Sequence, residues 1–404
     1  MSPRRIVVVG TVASDPYAGM AWMIMQIVVG LRRLGHDAWY FETTSTWPYD
    51  PRCQSRVPNS EYAAAYLARV AGSFDLPSNW AYRRSYSDKE WLGLDRARAE
   101  SLLASADLVL NIAGATRFAE EGLRTGRLVY FGTDPVFHEV NYAKGDPDTR
   151  AIVEEHSDVI TYGENIGNPD CPLPPLPRLR GKTRQAVLLD LWERGLPTNP
   201  AFTTVGNWKQ GGRDVEFAGE TYRWSKHLEF LNFIELPRRT AQPVELATNL
   251  APAASIRHGP GTAVPALGFE DDEYHALTSR GWRLVDAPAL SMDPWRYRDY
   301  VVASRGEFTV ARDLNVRLRS GWFSERSACY LAAGRPVVTQ DTGFGSTLPT
   351  GEGLFAFNTM DDIQRAFDAV NSDYARHSLA ARAIAHDYFR AETVLAKMLA
   401  DLGL

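Results

Sequence analysis

The stretch Ser320-Gly321-Trp322-Phe323-Ser324-Glu325-Arg326-Ser327-Ala328-Cys329-Tyr330-Leu331-Ala332-Ala333-Gly334-Arg335-Pro336-Val337-Val338-Thr339 carries the fold reading. It reads as loop, helix of small residues, tight stop and short β-branched strand. Gly334 suits the left-handed backbone that ends a helix, and Pro336 cannot continue one. Ser324 stands where an N-cap side chain accepts from a backbone N–H two or three residues on. The N–H groups of the first turn have no partner inside the helix and carry partial positive charge. Gly321 lets a ligand approach that end. The whole suits an anion such as a diphosphate. An ordinary capped core helix would read the same way.

Outward from this stretch the chain alternates strand and helix. Ile6 to Val9 is a strand buried on both faces. Met20 to Leu34 is an apolar helix closed by Gly35, and Ala38 to Phe41 is a second strand, which makes a right-handed βαβ unit. Leu108 to Ile112, Leu128 to Phe131 and Val159 to Tyr162 continue the sheet. Residues 168–177 hold five prolines and read as a stiff connector. Beyond it strands recur at Ala201 to Val205, Val244 to Ala247, Trp282 to Val285, Phe308 to Ala311 and Pro336 to Thr339. A long helix is expected from about Tyr374 to Leu399. The expected class is α/β, with two Rossmann-like doubly wound domains facing each other across a cleft. The expected division is 1–170, with an aromatic insertion at 43–100, then 171–373, then a closing helix at 374–404 that packs back toward the N-terminal domain.

The chain has 404 residues, enough for two cores, with 44 basic and 49 acidic residues and a net charge of -5. That balance disfavours a dedicated nucleic-acid binder. Three scattered cysteines make no disulfide framework, and a reducing cytoplasm is expected. The apolar run after Arg5 stops too soon for a signal peptide, and Met20 to Val29 is too short to span a bilayer.

Several motifs fail. Gly181-Lys182-Thr183 has Leu176 where a P-loop needs glycine. The first strand leads into no G-x-G-x-x-G. His138-Glu139 is followed by Tyr142 where a zinc helix needs histidine, and no G-x-S-x-G is present. Asp146-Pro147-Asp148 reads as a turn or helix start. No metal site is expected.

The small-residue helix, the run Ala332-Ala333-Gly334-Arg335-Pro336-Val337-Val338 and the polar loop after it resemble the donor domain of the GT-B glycosyltransferase superfamily. The stretch Gly19 to Glu42, the linker and the closing helix with Asp387-Tyr388-Phe389 resemble the same organisation. The nearest likeness is to actinobacterial-type members acting on nucleotide sugars. Many retaining members carry E-x(7)-E here. Those two places hold Gly321 and Cys329, with Glu325 between them.

The resemblance implies that Gly321, Trp322, Phe323, Ser324 and Glu325 meet a donor diphosphate, with Lys226 and Arg305 as its cations and Arg223 as a weaker choice. It implies that Asp286, Ala287 and Pro288 face the base and ribose, and that Asp341, Thr342 and Gly343 face the donor sugar. Gly19, Met20 and Trp47 stand on the acceptor side. An inverting reaction needs a group that takes the acceptor's proton; the candidates are Asp15, Asp134 and His138. The expected activity is transfer of a sugar from a UDP- or dTDP-linked donor to a small, natural-product-like acceptor, with no obligatory metal or other cofactor. The alternatives are a nucleotide-sugar epimerase or hydrolase, or a two-domain binding protein without catalysis.

Overall fold

The computed structural model describes residues 2–85, 88–250, 266–267 and 269–404. The β-branched run near the N-terminus forms the strand Arg5–Val9 within an eight-stranded sheet. Across that sheet the order is Leu179–Lys182, Asp158–Thr161, Leu128–Gly132, Leu108–Ile112, Arg5–Val9, Asp37–Thr43, Trp80–Arg83 and Trp91–Leu92. All neighbours are parallel except the last pair. Both faces are covered, so Ile6 to Val9 are at most 1% exposed. That is why the run is continuously apolar rather than alternating.

The second sheet has six strands, ordered Arg283–Asp286, Val244–Thr248, Asn199–Val205, Ser304–Thr309, Val337–Gln340 and Leu354–Phe357, all parallel. Its first strand in the chain lies centrally, beside its fourth, which creates a switch point where ligands enter open α/β sheets.

The helix Ala18–Arg33 is apolar nearly all round because it packs on the first sheet, on the helix Pro294–Ala303 and on the helix Ala391–Asp401. Gly30 permits the last contact, since a Cβ there would lie 2.5 Å from Leu395 Cδ1. Trp22 Nε1 donates to the Pro294 carbonyl at 2.7 Å, which ties this helix to the second domain.

Three expectations about organisation change. Leu179–Lys182 pairs with Asp158–Thr161, so the proline-rich segment does not lead into the second domain. It runs along the first domain with Cys171, Leu173 and Leu176 buried, and the boundary falls after Lys182. Proline content marks a stiff segment but not the sheet that receives its end. The actual crossings lie near Val187 and Arg390. They are bonded to each other, Val187 N to Phe389 O at 2.7 Å and Ala391 N to Val187 O at 3.0 Å. The aromatic stretch 43–100 contains the helix Glu61–Ser73 and contributes the strands Trp80–Arg83 and Trp91–Leu92 to the first sheet, with Trp80 and Trp91 buried. The closing helix is two, Tyr374–Ile384 and Ala391–Asp401, separated by a π turn at Ala385–Phe389. Asp146 caps the helix Pro147–Glu154, accepting from Thr149 N at 2.8 Å.

No helix among the described residues is long and apolar enough to cross a membrane.

Candidate functional site

The C-terminal ends of both sheets face a cleft enclosing about 330 Å³. The first domain lines it with Tyr17, Gly19, Met20, Met23, Tyr49 and Thr133, and the second with Asn207, Ala287, Pro288, Trp322, Ser324, Glu325 and Arg326 among others. Gly19, Met20, Ala287, Pro288, Trp322, Ser324 and Glu325 are therefore on the wall.

The helix Glu325–Ala332 points its N-terminus into this cleft, but Ser324 makes no side-chain capping bond. The first-turn N–H groups are left facing the cleft, as an anion site requires. Arg326 in that first turn was not among the sequence candidates. A cation there opposes the helix dipole, and that conflict was the available signal. Its guanidinium fills the switch point of the second sheet. Nε donates to Glu307 Oε1 at 2.5 Å, Nη1 to the Val205 carbonyl at 2.6 Å and Nη2 to Thr309 Oγ1 at 2.9 Å. Glu307 is fully buried.

Lys226 stands with its ammonium 5.2 Å from the centre of the Trp322 ring. Among the described residues it has no carboxylate partner within ion-pair distance. Burial, then the positive charge of Arg326 and Arg312, holds its pKa well below the usual lysine range. Arg312 lies over the Trp224 ring at 3.7 Å and is paired with Asp134 through Nη1 at 2.6 and 2.9 Å. Two arginines with acidic partners and one lysine without thus converge beside a helix start.

Glu325 is held by Gln26 Nε2 at 2.7 Å and by Cys329 Sγ at 3.1 Å, and burial pushes its pKa up to about 7. Gln26 Oε1 in turn accepts from Leu188 N at 3.0 Å and Trp192 Nε1 at 2.9 Å. Gln26, the polar residue in the middle of the N-terminal apolar helix, therefore joins both domains and the crossing segment.

The remaining candidates sit elsewhere. Asp15 is paired with Arg56 at 2.7 Å, and the Trp47 carbonyl accepts from the same guanidinium. Asp134 is committed to Arg312. His138 shares a hydrogen bond with the Tyr130 hydroxyl, and burial lowers its pKa to about 4, which suits a packed neutral ring. Arg305 lies near the N-terminal end of its strand, opposite to the cleft edge, bonded to Asn371 and over Tyr374. Arg223 pairs with Asp214. Phe323 is buried and stacks on Phe389. Asp286 ends its strand exposed to solvent. Asp341 accepts from Gly343 N and Arg319, and Thr342 Oγ1 donates to the Trp322 carbonyl at 2.6 Å. These two buttress the Trp322 loop from behind.

Gly321 and Gly343 are required for a different reason than ligand access. A Cβ on Gly321, at φ +76, would lie 2.4 Å from Asn165 N, and one on Gly343 would lie 2.9 Å from Asn165 Nδ2. Asn165 also donates to the Arg319 carbonyl at 2.8 Å. The first domain therefore plugs one side chain between two glycines of the second. Gly321→Ala should cost about 1–3 kcal/mol of stability, from the left-handed backbone and the displaced contact. Urea denaturation checks it, and an unchanged midpoint would remove Asn165 as a domain tie.

No protein-family model matches the sequence, and no curated protein matches it. Solved structures do. Anabaena HepE in complex with UDP-glucose superposes with a TM-score of 0.55 at 13% identity, over 99% of this chain and 99% of that one. An alpha-glucosyltransferase in complex with UDP and a 13-mer DNA superposes with a TM-score of 0.58 at 10% identity, over 100% of both chains. Sucrose-phosphate synthase from Thermosynechococcus elongatus gives 0.52 at 14% identity, over 97% of this chain and 96% of that one. At such identities the likeness is one of fold, and the chain has the two-domain GT-B architecture that these glycosyltransferases share.

Proposed function

We propose that the protein is a glycosyltransferase that moves a sugar from a nucleoside diphosphate sugar, UDP- or dTDP-linked, to a hydroxyl group of a small acceptor. The observation that carries this reading is Lys226, a half-buried cation without an acidic partner among the described residues, beside an uncapped helix N-terminus at a sheet switch point. A diphosphate supplies the charge this place lacks. It would lie against the first-turn N–H groups with Lys226 on its oxygens. The base would lie against Ala287 and Pro288. UDP or UDP-glucose in two of the superposed structures supports the same ligand class.

In the transfer, the bond from the anomeric carbon to the diphosphate oxygen breaks as the acceptor oxygen bonds that carbon. Negative charge grows on the departing diphosphate, and fixed positive groups there lower the barrier. Side-chain and backbone positive charge meets this need, so activity is expected to survive EDTA. A small acceptor fits the net charge of -5 better than DNA does.

Calorimetry with UDP, dTDP, GDP and ADP tests the donor claim, and mass spectrometry of UDP-glucose incubated with alcohols tests transfer. An altered sugar nucleotide without an acceptor product would replace transfer by epimerisation or hydrolysis.

The pH dependence has a definite sign. Glu325 is neutral below its raised pKa of about 7 and anionic above it. An anion at this helix start opposes a diphosphate, so affinity for UDP-glucose should fall as pH rises through 7. UDP-glucose is the right probe because its diphosphate does not titrate there. Glu325→Gln should flatten the profile. A wild-type affinity that is level from pH 6 to 8 would remove Glu325 from the phosphate neighbourhood.

A further inference from the structure

The two walls of the cleft differ in charge. Glu325 and Arg326 are on the second-domain wall, with Lys226 behind Trp322, whereas every described residue that the first domain contributes is uncharged. Nearby acids do not reach the cleft as free charges. Asp15 is paired with Arg56 at 2.7 Å and Asp50 with Arg52 at 2.6 Å.

This neutral wall is also flat and soft. Tyr17 and Tyr49 stack with ring centres 5.7 Å apart and planes 28° from parallel. Met20 and Met23 follow Tyr17 on the helix Ala18–Arg33, three residues apart and so on one face. Pro51 and Gln54 come from the turn between the short strands Tyr49–Asp50 and Ser55–Arg56. Gln54 holds a left-handed backbone, φ 51, uncommon for a residue other than glycine. Stacked phenols prefer the face or edge of another ring, and methionine sulfur makes favourable contacts with aromatic edges. A sugar would ask instead for hydrogen-bond partners at each hydroxyl, and a carboxylate for a cation. The wall supplies no cation, and its polar groups, the Tyr17, Tyr49 and Thr133 hydroxyls and the Gln54 amide among them, are set in a larger ring and thioether surface.

We infer that this wall is the acceptor subsite and that it takes an uncharged aromatic alcohol, a phenol in the simplest case, in preference to a sugar or an aromatic carboxylate. The inference rests on the transfer reading above and names its acceptor class. The phenol oxygen bonds the anomeric carbon, the bond from that carbon to the diphosphate oxygen breaks with its electron pair, and the phenolic proton is released to solvent.

The test uses the full chain saturated with UDP and three probes: 4-ethylphenol, 4-hydroxybenzoate and methyl glucoside. Binding is followed by saturation-transfer NMR, and turnover with UDP-glucose by mass spectrometry. The phenol should bind at least about tenfold tighter than 4-hydroxybenzoate, because the cost of desolvating an unpaired carboxylate is large. Tyr49→Ala should weaken the phenol about tenfold through lost stacking while the affinity for UDP stays the same, which also shows that the variant is folded. Met20→Lys, at a half-buried position, should reverse the preference toward 4-hydroxybenzoate. Equal binding of the three probes, a preference for the sugar, or a Tyr49→Ala variant with unchanged phenol affinity overturns the inference. Binding of UDP with transfer only to sugars would sink the acceptor class and leave the transfer reading standing. Phenol binding through Tyr49 without any UDP binding would do the reverse.

Discussion

Replacing Lys226 with methionine should weaken UDP binding by about 10- to 100-fold. The figure corresponds to loss of one charge-assisted hydrogen bond to phosphate, about 1.5–3 kcal/mol. Uridine, which has no phosphate, should bind both forms equally. The ligand-free variant should be no less stable than the parent, because the ammonium sits against Arg326 and Arg312 and burial already disfavours its charge. The linkage has a clear sign. Between its lowered folded pKa and its ordinary value, the lysine binds more protons unfolded than folded, so the parent gains stability as pH rises through that window. The methionine variant should lose that slope. Calorimetry and pH-dependent urea denaturation read both effects. Equal UDP affinity in parent and variant would remove Lys226 from the diphosphate site.

Arg326 should behave in the opposite way. Arg326→Leu leaves Glu307 buried without its cation and strips the Val205 carbonyl and Thr309 hydroxyl of a donor. Breaking a buried pair from one side costs about 3–5 kcal/mol, which places this among the most destabilising single changes in the second domain. Arg326→Leu combined with Glu307→Leu should recover much of the loss, since two apolar groups need no partner. The double variant should still bind UDP poorly, because the first-turn guanidinium is gone. A single variant within about 1 kcal/mol of the parent, a size usual for surface changes, would show that Glu307 finds another partner. The two cations therefore separate the roles: Lys226 serves the ligand at little structural cost, while Arg326 also holds the sheet's switch point together.

Much of the architecture was readable from neighbours in the chain. Ile6 to Val9, the Gly35 stop, and the Gly334-Arg335-Pro336 boundary depend on local backbone geometry and on burial of short apolar runs, and each lies where the pattern placed it. The helix start at Glu325 was readable for the same reason. The proline-rich segment was read as the connector between domains because composition reports stiffness, while strand pairing depends on a partner elsewhere. Arg305 failed because residues just before an expected strand proved to be its first turns of pleat, at the edge away from the cleft. Trp80 and Trp91, in the stretch read as an aromatic insertion, lie on strands of the first sheet and are buried: nothing local separates a core ring from an exposed one.

The chain by itself determined two α/β halves, a helix N-terminus suited to an anion and a net charge of -5. Only the tertiary structure decided which acids are spent and which cation is left over. Asp134 meets Arg312 across 178 positions and Gln26 meets Glu325 across 299. Neutralisation of that kind is a property of distance in space, where charges interact over a few ångströms. Local pattern encodes backbone conformation and burial, but it holds no record of which distant side chain will arrive to satisfy a charge.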